Sequence, residues 1–393
     1  MDNGKEVVAK IPNPNSGQPH FTTASEVATM KFAREVLRTP LPEVYAWSSR
    51  VQETLVGAEF ILMEKMNGVE LEHFLPEMTI QDRLEVVKAV AGYQKSWASV
   101  SFEVFGSLYF PEDVGESAWP SLTYLDHEGR KVHDPRFVIG PSTGREMFDN
   151  GRANIEFDRG PWKSLEDYHA AIGKREIARV KHIPELSSSP VSLHGPGLYQ
   201  PTREKKTNAL ETYLTLFTHL LPADRYLGSP HLWHGDLHAG NIFVDPSNPT
   251  LVVGLIDWQS SELSPLYFQA RQPHLIDHEG PTMHGLERPT LPADSAELEP
   301  SKKKAAQAFF YRQSCIWNAR RFLSALSSRK PRHSCCFFSL ATYSSTEKQR
   351  TWRKLANWKA YATPSPELKA PYIPFLSQPQ ISKQFKLIWR VQR

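Results

Sequence analysis

Between His231 and Gln259 the chain reads HLWHGDLHAGNIFVDPSNPTLVVGLIDWQ, and His234, Asp236 and Asn241 within it form an HxDxxxxN pattern. A short apolar run, Ile242 to Val244, leads into turn-forming residues from Asp245 to Thr250, and a second apolar run from Leu251 to Ile256 ends on Asp257. Two β-rich runs joined by turn residues predict a hairpin. Folding back at Ser247 to Pro249 sets Asn241, at the head of one strand, beside Asp257, at the tail of the other. Two oxygen ligands so placed suit one hard cation such as Mg²⁺. Asp236, on the loop just before, is placed to take a proton from an attacking hydroxyl or amine. Phosphoryl transfer needs these parts, because its chemistry rests on positioning and charge neutralisation. A lone HxD is noise and Asp before Pro is ordinary turn chemistry; the pattern followed by strand, turn, strand and a terminal Asp is far more specific. A rival reading makes His234, Asp236 and His238 a Zn²⁺ site, but Asn241 and the hairpin then go unexplained. His234 is expected to prop the loop by hydrogen bonding, and the role of His238 stays open.

Other elements must carry these groups. Residues 5 to 11, KEVVAKI, are β-branched and alternate weakly, so they read as a strand with Lys10 near its end. Residues 23 to 38 form a helix candidate with Val27, Met30 and Leu37 roughly on one face, stopped by Pro40 and Pro42. Glu26 in that helix has two readings: an ion pair with Lys10, or a capping box with Thr23. Val44 to Trp47 and Phe60 to Met63 read as strands. Residues 79 to 99 give the clearest helix, opened by Thr79 and Asp82, with Ile80, Leu84, Val87, Ala91, Gln94 and Ala98 along one stripe. From about Pro111 to Glu204 the chain is rich in Pro, Gly, Ser and charge, and only Trp162 to Val180 has helical character. Asp126, Asp134, Glu146 and Asp158 lie here; acids of this kind attract a cationic acceptor or form solvated loops, and none is assigned. Thr207 to Leu221 is amphipathic and is expected behind the catalytic loop. Ala305 to Leu326 reads as another helix.

His234-Gly235-Asp236-Leu237-His238-Ala239-Gly240-Asn241 and Ile256-Asp257-Trp258 resemble the aminoglycoside phosphotransferase and choline kinase-like families, whose loop commonly reads HGDLHxGN with a later IDW or IDF. The resemblance implies an α+β, protein kinase-like two-lobed fold and an ATP-dependent phosphotransferase that uses Mg²⁺. It implies Asp236 as the catalytic carboxylate, Asn241 and Asp257 as metal ligands, Lys10 on the donor phosphates with Glu26 as its partner, and backbone groups of Glu64 and Met66 at an adenine-binding hinge. VAKIPNPNSGQPHFTTASEVATM, VYAWSS and GAEFILMEKMNG are similar to the fungal altered inheritance of mitochondria protein 9 group, which implies a mitochondrial setting. The lobes are expected at 1–68 and 69–326, with a basic irregular tail at 327–393. Only nine residues precede Lys10, so a truncated small lobe without its phosphate-covering hairpin is expected. The alternative to an enzyme is a pseudokinase acting as a mitochondrial binding or scaffold protein.

Composition sets the bounds. The 393 residues are 40% hydrophobic and 23% charged, enough for two lobes with real cores. No apolar run approaches a membrane span, and no transit peptide is visible, so a cytoplasmic setting stays open. Cys315, Cys335 and Cys336 make neither a disulfide framework nor a metal spacing. The net charge of +3 hides 13 basic and 2 acidic residues after Leu326 against 33 and 41 before it. That tail has no helical period and no base-stacking module, which argues against nucleic acid. The sequence leaves the small-molecule acceptor and the oligomeric state undefined.

Overall fold

A computed structural model describes residues 6–182 and 202–269, apart from 14, 16, 116–118 and 120, together with short stretches between 289 and 314. β1 (Val7–Lys10), α1 (Phe21–Glu35), β2 (Val44–Ser48) and β3 (Phe60–Glu64) open the described chain. β3 is the middle of an antiparallel sheet ordered β1-β3-β2, with Lys10 opposite Ile61. The chain leaves this sheet through Gly68 at φ 122°; a Cβ there would sit 2.5 Å from the Val244 carbonyl oxygen, so only glycine passes. β4 (Val69–Glu70) follows directly.

α2 (Ile80–Ser99) begins at a capping box: the Thr79 hydroxyl accepts the Asp82 N–H at 3.2 Å, and the Asp82 carboxylate accepts the Thr79 N–H at 3.1 Å. Its buried stripe runs through Val86, Val87, Val90, Gln94, Trp97 and Ala98, while Leu84 and Ala91 are only half-buried. The helix is thus turned from the expected stripe, and Trp97 explains why. That ring, fully buried, packs edge-on against Trp233 at 5.5 Å and Trp258 at 5.3 Å, tying α2 to both ends of the motif segment.

The region expected to be mostly loop supplies two strands, Ser121–Leu125 and Lys131–Gly140, of a four-stranded sheet. β5 (Ser101–Phe102), β6 (Ser107–Tyr109), β7 (Ser121–Leu125) and β8 (Lys131–Gly140) pair in the order β5-β7-β8-β6. Asp134 and Pro135 interrupt the apolar pattern of β8, which hides it from a periodicity reading. Phe102, Tyr124 and Phe137 of this sheet surround Phe32 of α1 at 5.4 to 5.7 Å. In contact with β2 and β3 as well as this sheet, α1 is buried from Thr22 to Met30, more completely than a one-faced helix would be.

α3 (Leu165–His182), α4 (Arg203–Leu216), α5 (Arg225–Gly228), β9 (Pro230–Leu232), β10 (Ile242–Asp245), β11 (Asn248–Leu255), β12 (Leu263–Pro265) and α6 (Leu266–Gln269) complete the described elements. β10 and β11 are the expected hairpin, and β4 joins them in the order β11-β10-β4. α4 packs on α3 rather than behind the catalytic loop. Gly173 admits Leu214, whose Cδ2 lies 2.5 Å from where a Cβ would stand, and Tyr213 donates to or accepts from His169 at 2.9 Å. The chain divides into two compact units, 1–182 with 210–342 and 183–209 with 343–393. The expected 1–68 lobe lies in the first, as does 69–326 apart from 183–209; of the second, only the start of α4 is described. The predicted helix from Ala305 to Leu326 falls largely, and the tail after it entirely, outside the described residues. Among the described residues no helix is long and apolar enough to cross a membrane.

Candidate active site

The loop between β9 and β10 is shaped from within by His234. The ring is buried, and it donates from Nε2 to the Ile256 carbonyl at 2.8 Å while its Nδ1 accepts the Asp236 N–H at 3.3 Å. Burial pushes its pKa down, which matches a neutral ring with one donor and one acceptor nitrogen. One side chain therefore fixes the backbone of Asp236 and that of the residue before Asp257. With both nitrogens used, His234 has none left for zinc, and no group of three or more His, Cys, Asp or Glu able to hold a metal occurs among the described residues.

Asn241 is buried at the head of β10. Its Nδ2 donates to the Asp236 carbonyl at 2.9 Å, leaving Oδ1 as the atom a cation would meet. Its own carbonyl accepts the Ile256 N–H at 3.0 Å, so the hairpin register brings Asn241 and Asp257 to the same end. The Asp236 carboxylate is 75% exposed, as a group that must meet an incoming molecule should be.

Lys10 joins β1 and α1 to this end of the hairpin. Its Nζ lies 2.7 and 2.9 Å from the two Glu26 oxygens and 2.7 Å from Asp257 Oδ1. Burial alone would lower the lysine pKa, but the two carboxylates outweigh it and the net direction is up; the ammonium is charged. Burial raises the Glu26 pKa, and Lys10 opposes that rise. The capping reading of Glu26 is not what the structure adopts. His20 occupies the N-cap of α1, and Thr23 donates instead to Glu59, a carboxylate that also accepts the His20 N–H at 2.7 Å.

Asp257 has φ 62°, a left-handed backbone that Asp tolerates better than most residues yet at a cost. Its neighbours hold it there. Ile256 is bound by His234, and Trp258 is buried against Trp97 and, at 4.8 Å, His234. Beyond it, Ser107 Oγ donates to the Ser261 carbonyl at 3.1 Å, Thr143 Oγ1 adds a longer bond at 3.4 Å, and Leu263 pairs with Gly106. Ser107 and Thr143 gave no sequence signal, because they reach this loop across 154 and 118 residues.

Glu64 and Met66 lie apart from this cluster. The Glu64 N–H bonds the Glu43 carbonyl at 2.8 Å and is not open to a ligand, and the Met66 methyl sits against Gly254 of β11. Among the acids in the insertion considered for a cationic acceptor, Asp126 pairs with Arg130, Asp134 with Arg136, and Asp158 accepts from Trp162.

The donor set fits a hard divalent cation. An amide oxygen and a half-exposed carboxylate are hard ligands, and Mg²⁺ commonly takes one or two protein oxygens and completes its shell with phosphate and water.

Residues 191–268 match the phosphotransferase enzyme family, a span that includes the whole motif segment. A subtelomeric hrmA-associated cluster protein of Aspergillus fumigatus is 31% identical over 78% of this chain and 63% of its own length. Altered inheritance of mitochondria protein 9 is 29% identical in Yarrowia lipolytica, over 67% of this chain and 47% of that one, and 26% identical in Lachancea thermotolerans, over 72% and 48%. The chain thus spans about half to two thirds of the length of these relatives. A solved gentamicin–APH(2")-IIa complex aligns over 81% of this chain and 75% of its own at TM-score 0.35 and 11% identity, a likeness from which no ligand carries over. Over residues 191–268, which carry the motif segment, the chain is similar to the phosphotransferase enzyme family, and its described elements make a mixed α+β fold.

Proposed function

We propose that the protein is an ATP-dependent phosphotransferase acting on a small-molecule hydroxyl. The observation that carries this reading is the convergence of Lys10, Glu26 and Asp257 in one ion cluster beside the loop that holds Asp236 and Asn241. Asp236 orients the acceptor hydroxyl and takes its proton as the oxygen bonds to the γ-phosphorus. The bond from that phosphorus to the β,γ-bridging oxygen breaks, and ADP leaves. Lys10, aligned by Glu26, steadies the donor phosphates. Asn241 Oδ1 and the Asp257 carboxylate would hold Mg²⁺, which when bound offsets the charge of the phosphates. The Glu64 carbonyl and the Met66 backbone supply the adenine contacts, and the lobes meet at residue 68. Relatives named as mitochondrial support a mitochondrial setting.

Thermal denaturation with Mg-ATP tests the reading. At a ligand concentration 100 times Kd, binding stabilises the folded state by about 2.7 kcal/mol. The wild-type protein should show this shift and Asp257→Ala should lose it. No shift in the wild type supports a scaffold that binds no nucleotide.

A further inference from the structure

His238 is not needed to build the loop's hydrogen bonds to β11, yet its ring is held in a defined seat. Its Nδ1 accepts the Gly240 N–H at 3.1 Å. A Cβ on Gly240 would lie 3.1 Å from the ring's Cε1, 3.2 Å from its Nδ1 and 3.0 Å from Glu72 Oε2, so the absent side chain makes room for the imidazole. A nitrogen that accepts carries no proton, and the proton of the neutral ring is then on Nε2. That nitrogen lies 3.9 Å from Asp236 Oδ2. Among the described residues, the Asp236 carboxylate has no other side chain within reach.

We propose that His238 is the positioning residue for Asp236: its Nε2–H binds Oδ2 when an acceptor enters and leaves Oδ1 directed at the acceptor's hydroxyl. The 3.9 Å separation closes by a small rotation of an exposed side chain, and hydrogen bonds of catalytic groups commonly tighten only in the bound complex. Orientation of this kind matters because a displacement of about 1 Å at the reacting group costs on the order of 10²-fold in rate. The inference rests on the phosphotransferase reading for its purpose, but not for its geometry.

Two measurements test it. In protein labelled with ¹⁵N-histidine, with His238→Asn used for assignment, the His238 imidazole should be the Nε2–H tautomer at neutral pH; an Nδ1–H tautomer overturns the proposal. In the second, Mg-ATP is turned over with water as the acceptor. His238→Asn retains a side-chain oxygen for the Gly240 N–H but has no group reaching Asp236, so kcat should fall about 10- to 100-fold while KM for ATP and the melting temperature hold. His238→Gln, whose longer amide reaches further, should recover part of the loss. Wild-type kcat in His238→Asn overturns the proposal, and so does a loss in both variants that merely follows a lowered melting temperature. A wild type that turns over no Mg-ATP defeats the phosphotransferase reading instead, and the tautomer still decides whether the His238 seat is as described.

Discussion

Lys10 answers two carboxylates at once, and Glu26 is the buried one of the pair. Glu26→Gln keeps the shape but removes the charge that aligns the ammonium. The expected result is a fall of about tenfold or more in kcat/KM for ATP, roughly the 1.4 kcal/mol that one charged hydrogen bond contributes, with the fold intact by circular dichroism. A second residue-scale test lies away from the cleft. Asp113 is buried, and burial with Glu112 nearby raises its pKa to about 6. A carboxyl whose folded pKa is raised favours folding while protonated and loses that contribution as pH rises through about 6. Asp113→Asn should therefore raise the melting temperature at pH 7.5 and leave it nearly unchanged at pH 4, read by scanning calorimetry at both pH values. The shared hairpin end of Asn241 and Asp257 was legible, because spacing and turn chemistry fix where a short hairpin puts its ends. The Glu26 pairing was legible only as one of two readings, since Thr23-x-x-Glu26 spells a capping box as well. Only the fold showed that Thr23 turns to Glu59.

At the scale of elements, the loop that carries Asp257 is held from outside the hairpin. Gly106 at φ 149° pairs with Leu263, and a Cβ there would collide with the Gly140 carbonyl. Gly106→Ala should destabilise the protein by about 1–3 kcal/mol, the range for backbone strain of this type. It should also raise amide hydrogen exchange in residues 257–263 more than in α2; equal exchange in the two would argue against the clamp. The hairpin and α2 could be read in advance, because their periods and caps are local. The four-stranded sheet could not. Its strands are short or broken by Asp134-Pro135, and their pairing joins residues far apart in sequence. Its effect reaches α1, whose Phe32 it surrounds with Phe102, Tyr124 and Phe137. The buried stripe of α2 was missed for a related reason: Trp97 finds Trp233 and Trp258, and that large contact overrides the pattern of smaller residues.

At the scale of the molecule, three buried histidines set the response to acid. Burial lowers His169 and His231 to about 4 and moves His234 in the same direction. A histidine whose folded pKa is depressed favours folding above its unfolded pKa of about 6.5 and loses that contribution as pH falls toward about 4. Asp113 and Glu26, both raised by burial, act with the opposite sign in part of that window, but the three histidines outweigh them. The melting temperature should fall steadily from pH 6.5 to 4, and His231→Gln should flatten the slope. The central claim concerns chemistry rather than stability, and radiolabel release from γ-³²P-ATP tests it most directly. With Mg²⁺ and a panel of hydroxyl acceptors, the wild type should transfer or release phosphate, and Asp236→Asn should bind Mg-ATP with the same thermal shift yet turn over at least about 10²-fold more slowly, the lower end of what a general base contributes. Equal turnover by the two proteins would contradict the account.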